Sequence, residues 1–395
     1  MRTVEEHQQV VAGLISARPA VAVPLADALG LALAEDVVAP LSLPGFDNSA
    51  MDGYAVLAAD VATAAADNPV KLPVAEDIPA GRTDLLTLAP GTAHRIMTGA
   101  MLPAGATAVV QVEATDGATD VVSIYSAVPE GRSIRRAGED VTAGMTVLSA
   151  GEVLSPAALG LAAALGLAEL KVIPRQRVLV LSTGTELVTP GTPLQPGQIY
   201  ESNAVMLAAA LREAGADVTT APATSDDVAL FRETLAGHAA GVDLIVTTGG
   251  VSAGAYEVVK DALSGDVEFV KVAMQPGMPQ GAGTVGGTPI VTLPGNPVSA
   301  LVSFEVFIRP PLRAAMGLPS ERPRRSATLT EKLTSPAGKR QFRRGVLGTD
   351  EQVSSYGPPA SHHLRWLATA NCLLDIGEDV VELAAGSPVP VWDLS

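Results

Sequence analysis

The chain is predicted to be a multidomain α/β protein, and three observations carry that expectation. Its 395 residues exceed what one compact core accommodates, so two to four domains are expected. Apolar residues make up 47% of the chain but aromatics only 3%. Ala, Val and Leu must therefore fill the cores, which suits alternating strands and helices better than an aromatic-rich β-sandwich. From about residue 177 to 316, β-branched runs alternate with helical stretches, the pattern of a parallel sheet covered on both faces.

Taken in chain order, residues 4–17 read as a helix. Residues 46–138 are rich in short Val/Ile runs, Gly and Pro, as expected of a small β-domain, and an Ala/Leu helix follows at about 155–165. RVLVLST is then a buried strand, followed by a Gly/Pro-rich loop and a helix over 203–213. ADVTTA is the next strand, and Asp226 is placed to cap a helix running through Leu235. VDLIVTT is a third strand that ends in the Gly249–Gly250 turn and leads into a helix near 257–263. VEFVKVA and PIVTLP are two more strands, and Pro297 opens a long helix through Phe307. PSERPRRS reads as a linker, after which short alternating strands run to SPVPVWDL.

Composition narrows the function. A net charge of −16 disfavours nonspecific binding to nucleic acid or anionic lipid. Basic clusters at Arg135–Arg136, Arg322–Arg325 and 339–344 leave a local anion site open, against the plainer reading of solvated surface charge. The single cysteine, Cys372, excludes a disulfide framework and a thiolate zinc site. The most apolar stretch, 154–173, is broken by Pro156, two glycines, Glu169 and Lys171, and the N-terminus lacks the basic-then-apolar layout of a signal peptide. A cytoplasmic protein is expected.

Two motifs point the wrong way. Gly281-Ala-Gly283-Thr-Val-Gly286 has dinucleotide spacing, but it precedes a strand instead of following one, so a hairpin or loop is expected. Gly250-Val-Ser252-Ala-Gly254 has nucleophile-elbow spacing, but the downstream histidines, His362 and His363, fall in a separate C-terminal domain, which argues against a serine hydrolase. As neighbours in an assumed strand they would point to opposite sides, so both are read as surface or structural.

The glycine loops make better sense as an anion cradle. In a parallel sheet, ligands sit beyond the carboxyl ends of the strands, where STGTE, TTGGVSAG and LPGNPVS share one rim. Glycines admit backbone N–H groups close to a phosphate, and Ser182, Thr183, Ser252 and Ser299 add hydroxyl donors, with Asn296 held in a proline-flanked turn. Upstream, Asp47, Asn48, Ser49 and Asp52 crowd into one polar block, which is either turn and capping chemistry or a carboxylate pair for an oxygen-liking divalent metal.

In order and approximate spacing, LPGFDNSAMDGYAV, RIMTGAMLPAGATAVVQVE, RRAGED, STGTELVTPG, TTGGVSAG and LPGNPVSA resemble the molybdopterin molybdenumtransferase (MoeA, gephyrin E-domain) family over nearly the whole chain, and SHHLRWLATANCLLDI resembles its C-terminal domain. The resemblance implies an elongated homodimer. Its linking helical domain would take residues 1–45 with 139–174, its β-rich middle domain 46–138, its molybdopterin-binding MoaB/Mog-like α/β domain 175–318, and its C-terminal β-barrel-like domain 326–395. It implies adenylylated molybdopterin and molybdate as substrates and a Mg²⁺- or Zn²⁺-dependent reaction that releases AMP, at a site shared between subunits. Matched motif by motif, Asp52, Thr98, Asp140, Glu186, Asp226 and Lys271 take the catalytic positions, and Asp52, Asp226 and Glu257 the metal positions. Ser182, Thr183, Gly184, Gly249, Gly250, Ser252, Glu257, Pro294, Gly295, Asn296, Pro297 and Ser299 take the pterin-binding positions.

The chain departs from the family pattern at three places: Gln275 and Met278 stand where the family writes Lys, and Ala255 precedes Tyr256-Glu257 where an Asp is usual. A second reading follows from these departures, a gephyrin-like dimeric scaffold that binds a short peptide of a membrane receptor, cytoskeletal or cell-division protein. A third, the sibling adenylyltransferase, accounts for the α/β domain alone.

Overall fold

The computed structural model describes residues 1–222, 227–250 and 258–395. The chain divides into two compact units, one of residues 1–22, 30–34 and 171–395, the other of residues 23–29 and 35–170. Among the described residues, no helix is long and apolar enough to cross a membrane.

The chain opens with helix α1 (Val4–Leu14), whose start is set by a reciprocal capping box: Thr3 Oγ1 accepts from the Glu6 N–H and the Glu6 carboxylate accepts from the Thr3 N–H. In the second unit, five strands form one sheet: β1 (Gly53–Val56), β2 (Val70–Ile78), β3 (Ala93–Ile96), β4 (Ala108–Gln111) and β5 (Val121–Ile124), in the order β4-β1-β3-β2-β5. Tyr54, Val56, Val110, Val122 and Ile124 fill its core. Gly53 is obligatory at the head of β1, because a Cβ there would lie 1.9 Å from the Val110 carbonyl oxygen. Helix α2 (Pro156–Ala164) follows, capped by Ser155 and opened by a proline at its first position.

The first unit carries a six-stranded sheet built from β6 (Arg177–Ser182), β7 (Asp217–Thr220), β8 (Leu244–Thr248), β9 (Val267–Lys271), β10 (Pro279–Val285) and β11 (Thr288–Leu293), ordered β7-β6-β8-β11-β10-β9. β7, β6, β8 and β11 are parallel, while β10 and β9 complete the edge antiparallel. Alternation along the buried strands decides which helix covers which face. Val178, Val180, Leu244, Val246 and Val291 point into a core with α3 (Asn203–Glu213) and the helix that begins at Pro297. Leu179, Leu181, Ile245 and Ile290 point the other way, onto α4 (Val228–Ala239) and α5 (Val258–Ala262). Asp227 caps α4 by accepting from the Ala229 and Leu230 N–H groups, a role the sequence assigned to its neighbour Asp226, which lies outside the described residues.

Strand β10 was not expected, and it contains the glycines of the dinucleotide-like motif. Gly281 and Gly283 lie where a Cβ would strike Thr292 Oγ1 at 2.2 Å and the Asp266 carbonyl at 2.1 Å, and Gly286–Gly287 turn the chain into β11. Of the hairpin or loop expected here, a hairpin forms.

The helix begun at Pro297 continues as α6 (Pro297–Ser303), a π-helical turn over Phe304–Ile308, and α7 (Arg309–Ala315). Pro310 and Pro311 have no N–H to give to the carbonyls a turn earlier, which accounts for the local change of register. Gln8 Nε2 donates instead to the Val306 carbonyl at 3.1 Å. Beyond the linker, β12 (Arg324–Leu329), β13 (Arg340–Leu347), β14 (Gln352–Ser355), β15 (Cys372–Ile376) and β16 (Pro388–Asp393) close into a barrel through the pairings β13-β14-β12-β16-β15-β13. The linker is therefore shorter than the sequence suggests, since Arg324 already pairs with Trp392.

Several arginines of the basic clusters are ion-paired, most of them at half-exposed surface positions. Arg136 pairs with Asp47, Arg324 with Glu321, Arg325 with Asp393, and Arg340 with both Asp375 and Glu5.

His7 of α1 is fully buried, edge-on to Phe307 at 4.7 Å between ring centres, and neither ring nitrogen has a partner. Burial, with the Arg2 charge adding to it, lowers its pKa to about 4. The folded value lies below the unfolded one. As pH falls from 6.5 toward 4 the unfolded chain takes up a proton that the folded chain refuses, and stability drops by up to about 3 kcal/mol. Denaturant midpoints measured from pH 7 to pH 4.5 are expected to slope less in His7→Leu than in the wild type. An unchanged slope would remove His7 from that role.

Candidate functional site

A cavity of about 1120 Å³ opens at the carboxyl ends of β6, β8 and β11. Three loops leave those strand ends, and glycine is what lets them meet. Gly249 (φ +90°) lies where a Cβ would be 2.7 Å from the Thr183 carbonyl, and Gly295 packs with its Cβ position 3.4 Å from the Gly249 Cα. A side chain at Gly249 would push its loop off Thr183.

The floor is lined with hydroxyls and amides. Ser182 and Thr183 are buried, and neither hydroxyl has a partner among the described residues. Buried polar atoms are nearly always paired, so two adjacent orphans facing a cavity mark a place where a polar ligand or water completes the set. Asn203, the first residue of α3, ties two loops together: its Nδ2 donates to Thr248 Oγ1 at 3.0 Å and to the Gly295 carbonyl at 2.6 Å. Its own Oδ1 is a third orphan. Glu201 spends one carboxylate oxygen on the Ala204 N–H at 2.8 Å, and the other is buried with no partner. Asn296 and Pro297 begin α6 at the rim, and the Asn296 side chain makes no capping bond.

The C-terminal barrel closes the far wall with Pro359, Ala360, Ser361, His362 and Leu364. The Val298 N–H donates to the Ser361 carbonyl at 3.0 Å, which joins this segment to the start of α6. The two histidines do not lie in a strand. They occupy a turn ahead of the short helix Leu364–Leu367, with rings packed edge-on at 4.4 Å, and His362 faces the cavity. The expectation that they face opposite sides of a strand is corrected here, because the local backbone is not extended; His362 is exposed, as the surface reading had it.

Most residues expected at the pterin-binding position converge. Ser182, Thr183, Gly184, Gly249, Gly250, Pro294, Gly295, Asn296, Pro297 and Ser299 all line the cavity, as does Glu186. Lys271 does not line it: it is exposed at the end of β9, where its carbonyl accepts from the Arg2 N–H. Ser252, Asp226, Ala255 and Glu257 lie outside the described residues. Gln275 lines the cavity with its carbonyl oxygen held by Gln341 Nε2 at 2.7 Å. Glu201, Asn203 and His362 were not anticipated. The signal for the first two was the polar triplet Glu201-Ser202-Asn203 at a helix start, which reads equally well as capping.

In the other unit, Asp52 is exposed and Thr98 holds it through two bonds to the same oxygen, Oδ1: the backbone N–H and the Thr98 hydroxyl each donate at 2.7 Å. These bonds lower the Asp52 pKa, the backbone one most. The rest of that polar block follows the turn-and-cap reading: Asp47 accepts from Arg136 and the Ala137 N–H, Asn48 donates to the Phe46 carbonyl, and Ser49 Oγ donates to the Met51 carbonyl. Asp140 is exposed, and its N–H donates to the Leu43 carbonyl. Among the described residues, no three His, Cys, Asp or Glu side chains gather as a metal site would require.

Fold and cavity together define a multidomain α/β protein with a polar, hydroxyl-lined pocket at the strand ends of a parallel sheet and a β-barrel forming one wall. Three family models match in succession: the MoeA N-terminal region (domain I and II) over residues 2–166, the probable molybdopterin binding domain over 179–314, and the MoeA C-terminal region (domain IV) over 326–394. Molybdopterin molybdenumtransferase 2 of Mycobacterium tuberculosis is 68% identical over 407 residues, covering 100% of both chains. Molybdopterin molybdenumtransferase 1 of the same organism is 39% identical, covering 99% of this chain and 98% of its own. The crystal structure of a molybdopterin biosynthesis MoeA protein from Pyrococcus horikoshii superposes with a TM-score of 0.84 at 30% identity, over 100% of this chain and 99% of that one. The chain belongs to the MoeA family of molybdopterin molybdenumtransferases.

Proposed function

We propose that this chain binds adenylylated molybdopterin in the strand-end cavity, inserts molybdenum from molybdate into its dithiolene and releases AMP. The observation that carries the reading is the row of unpartnered buried hydroxyls, Ser182 and Thr183, beside three glycine-packed loops in a cavity of about 1120 Å³. Such a floor offers hydroxyl and backbone N–H donors to a phosphorylated ligand without any rearrangement of the strands. The names carried by the relatives at 68% and 39% identity support the same reaction.

Within this reading the chain comprises four domains in a cytoplasmic homodimer, with Ser182, Thr183, Gly249, Gly295 and Asn296 receiving the substrate's phosphate end. Glu186 lines the same space as an exposed carboxylate. Asp52 is a hard oxygen donor held ionised by Thr98, which suits Mg²⁺ better than Zn²⁺. Mg²⁺ is commonly held by carboxylates together with substrate phosphates. Bound there, the ion would neutralise charge on the phosphoanhydride. Asp226 and Glu257 complete the proposed ligand set, and Lys271, exposed beyond the cavity, is assigned to an anion outside it. The scaffold alternative finds no support in these relatives, whose names describe transferases.

The test is AMP release from adenylylated molybdopterin by the purified chain with Mg²⁺ and molybdate. Molybdate-dependent turnover is expected, and a folded chain that releases no AMP would refute the reading.

A further inference from the structure

A cavity that takes a diphosphate needs positive charge, and this one has very little. None of the described residues lining it is Lys or Arg, while two are carboxylates, Glu186 and Glu201. Residues 223–226 and 251–257 add none, since neither stretch contains Lys, Arg or His. Gln275 contributes a neutral amide, its oxygen bonded to Gln341, and Lys271 does not reach the lining. The one described lining side chain able to carry a positive charge near neutral pH is His362.

We propose that His362 is the protein's own cationic contact for the substrate's diphosphate linkage, beside the Mg²⁺ proposed above, donating from a protonated imidazole in the cavity that the hydroxyl floor also lines. This rests on the function proposed above and assigns the charge-bearing residue of that site. The backbone around His362 is built for fixed placement. Arg344 is buried and donates to the His363 carbonyl at 2.8 Å and to the Pro358 carbonyl, pinning the segment at both ends. The Val298 N–H holds the Ser361 carbonyl in between. Gly357, at φ +74°, lets the segment begin against Trp366, where a Cβ would lie 2.5 Å from the ring. The His362 ring is braced edge-on by His363. The charged and titratable groups around it are Glu186, Tyr200 and Glu201 in the cavity, His363 beside it, Arg344 beneath the segment, and Arg365, which stacks on Trp366. Glu186 and Glu201 are the two carboxylates among the described residues that line the same cavity.

The experiment measures binding of diadenosine diphosphate to the full-length chain by calorimetry at roughly pH 5.5 and pH 8, bracketing an ordinary imidazole. Its diphosphate linkage stays fully ionised across that range, so the pH dependence reports the protein. Wild type is expected to bind more tightly at the lower pH. His362→Gln is expected to bind about ten- to a hundredfold more weakly there and to lose the pH dependence, as for a lost charged hydrogen bond. His362→Arg is expected to keep tight binding at the higher pH. His362 is exposed, so these replacements leave the fold intact. Equal affinity of wild type and His362→Gln at the lower pH would overturn the contact, as would a wild type that fails to bind the probe. Binding with the expected pH dependence but without AMP release would reject the reaction while keeping the contact.

Discussion

Asp52→Ala is expected to reduce AMP release by about two to three orders of magnitude while leaving the fold unchanged, on the scale seen when a preorganised electrostatic group is removed from an active site. Asp52 is exposed and contributes nothing to a core, so no cavity forms when it is truncated. What is lost is a carboxylate held in one orientation. Both Thr98 bonds fall on Oδ1, fixing the carboxylate and keeping it ionised below the usual carboxylate range. Thr98→Ala removes one of the two bonds and keeps the backbone N–H, so its loss of activity should be the smaller of the two. The check is kcat for AMP release at saturating Mg²⁺, with circular dichroism to confirm folding. Turnover in Asp52→Ala within a few-fold of wild type would take Asp52 out of the chemistry.

What could be read from the sequence followed the physics of each signal. The near-continuous apolar runs in RVLVLST and VDLIVTT, and the run over Asn203–Glu213, placed the sheet and its first helix because a strand buried on both faces has few alternatives. The strand-end loops were legible because three glycine-rich segments followed three strands. Strand β10 was not, because PQGAGTV carries no β-branched alternation. It forms because only glycine fits against Thr292 and Asp266, which is a fact about neighbours. His362 was invisible for a related reason. Its place in the cavity depends on Arg344, Val298 and Ser361, which come from three separate parts of the chain. The sequence left the role of the basic clusters open because a guanidinium's carboxylate partner can lie far along the chain, as with Arg136 and Asp47 or Arg340 and Glu5.

Removing Glu305 is expected to produce the largest loss of stability, about 3–5 kcal/mol, because it strands buried guanidinium groups. Glu305 is 4% exposed and sits in the π turn, where it accepts from Arg322 Nε at 3.1 Å and Nη2 at 2.9 Å, with Arg309 Nε at 3.7 Å. Arg322 also reaches Glu213 at the end of α3 at 2.8 Å. The Arg322 guanidinium, held by Glu305 and Glu213, thus ties the long helix and α3 to the linker that leads into the barrel. The helix that carries Glu305 begins at Pro297 on the cavity rim, so loosening its middle frees the wall that holds Asn296 and Ser299. Glu305→Ala should lower the denaturation midpoint of the first unit and weaken substrate binding, although no cavity residue has changed. Glu305→Leu combined with Arg322→Met should recover much of the stability, since replacing a buried pair costs less than breaking it. An unaltered midpoint in Glu305→Ala would mean that water solvates Arg322 there and that the carboxylate is not the tie between the helix and the linker.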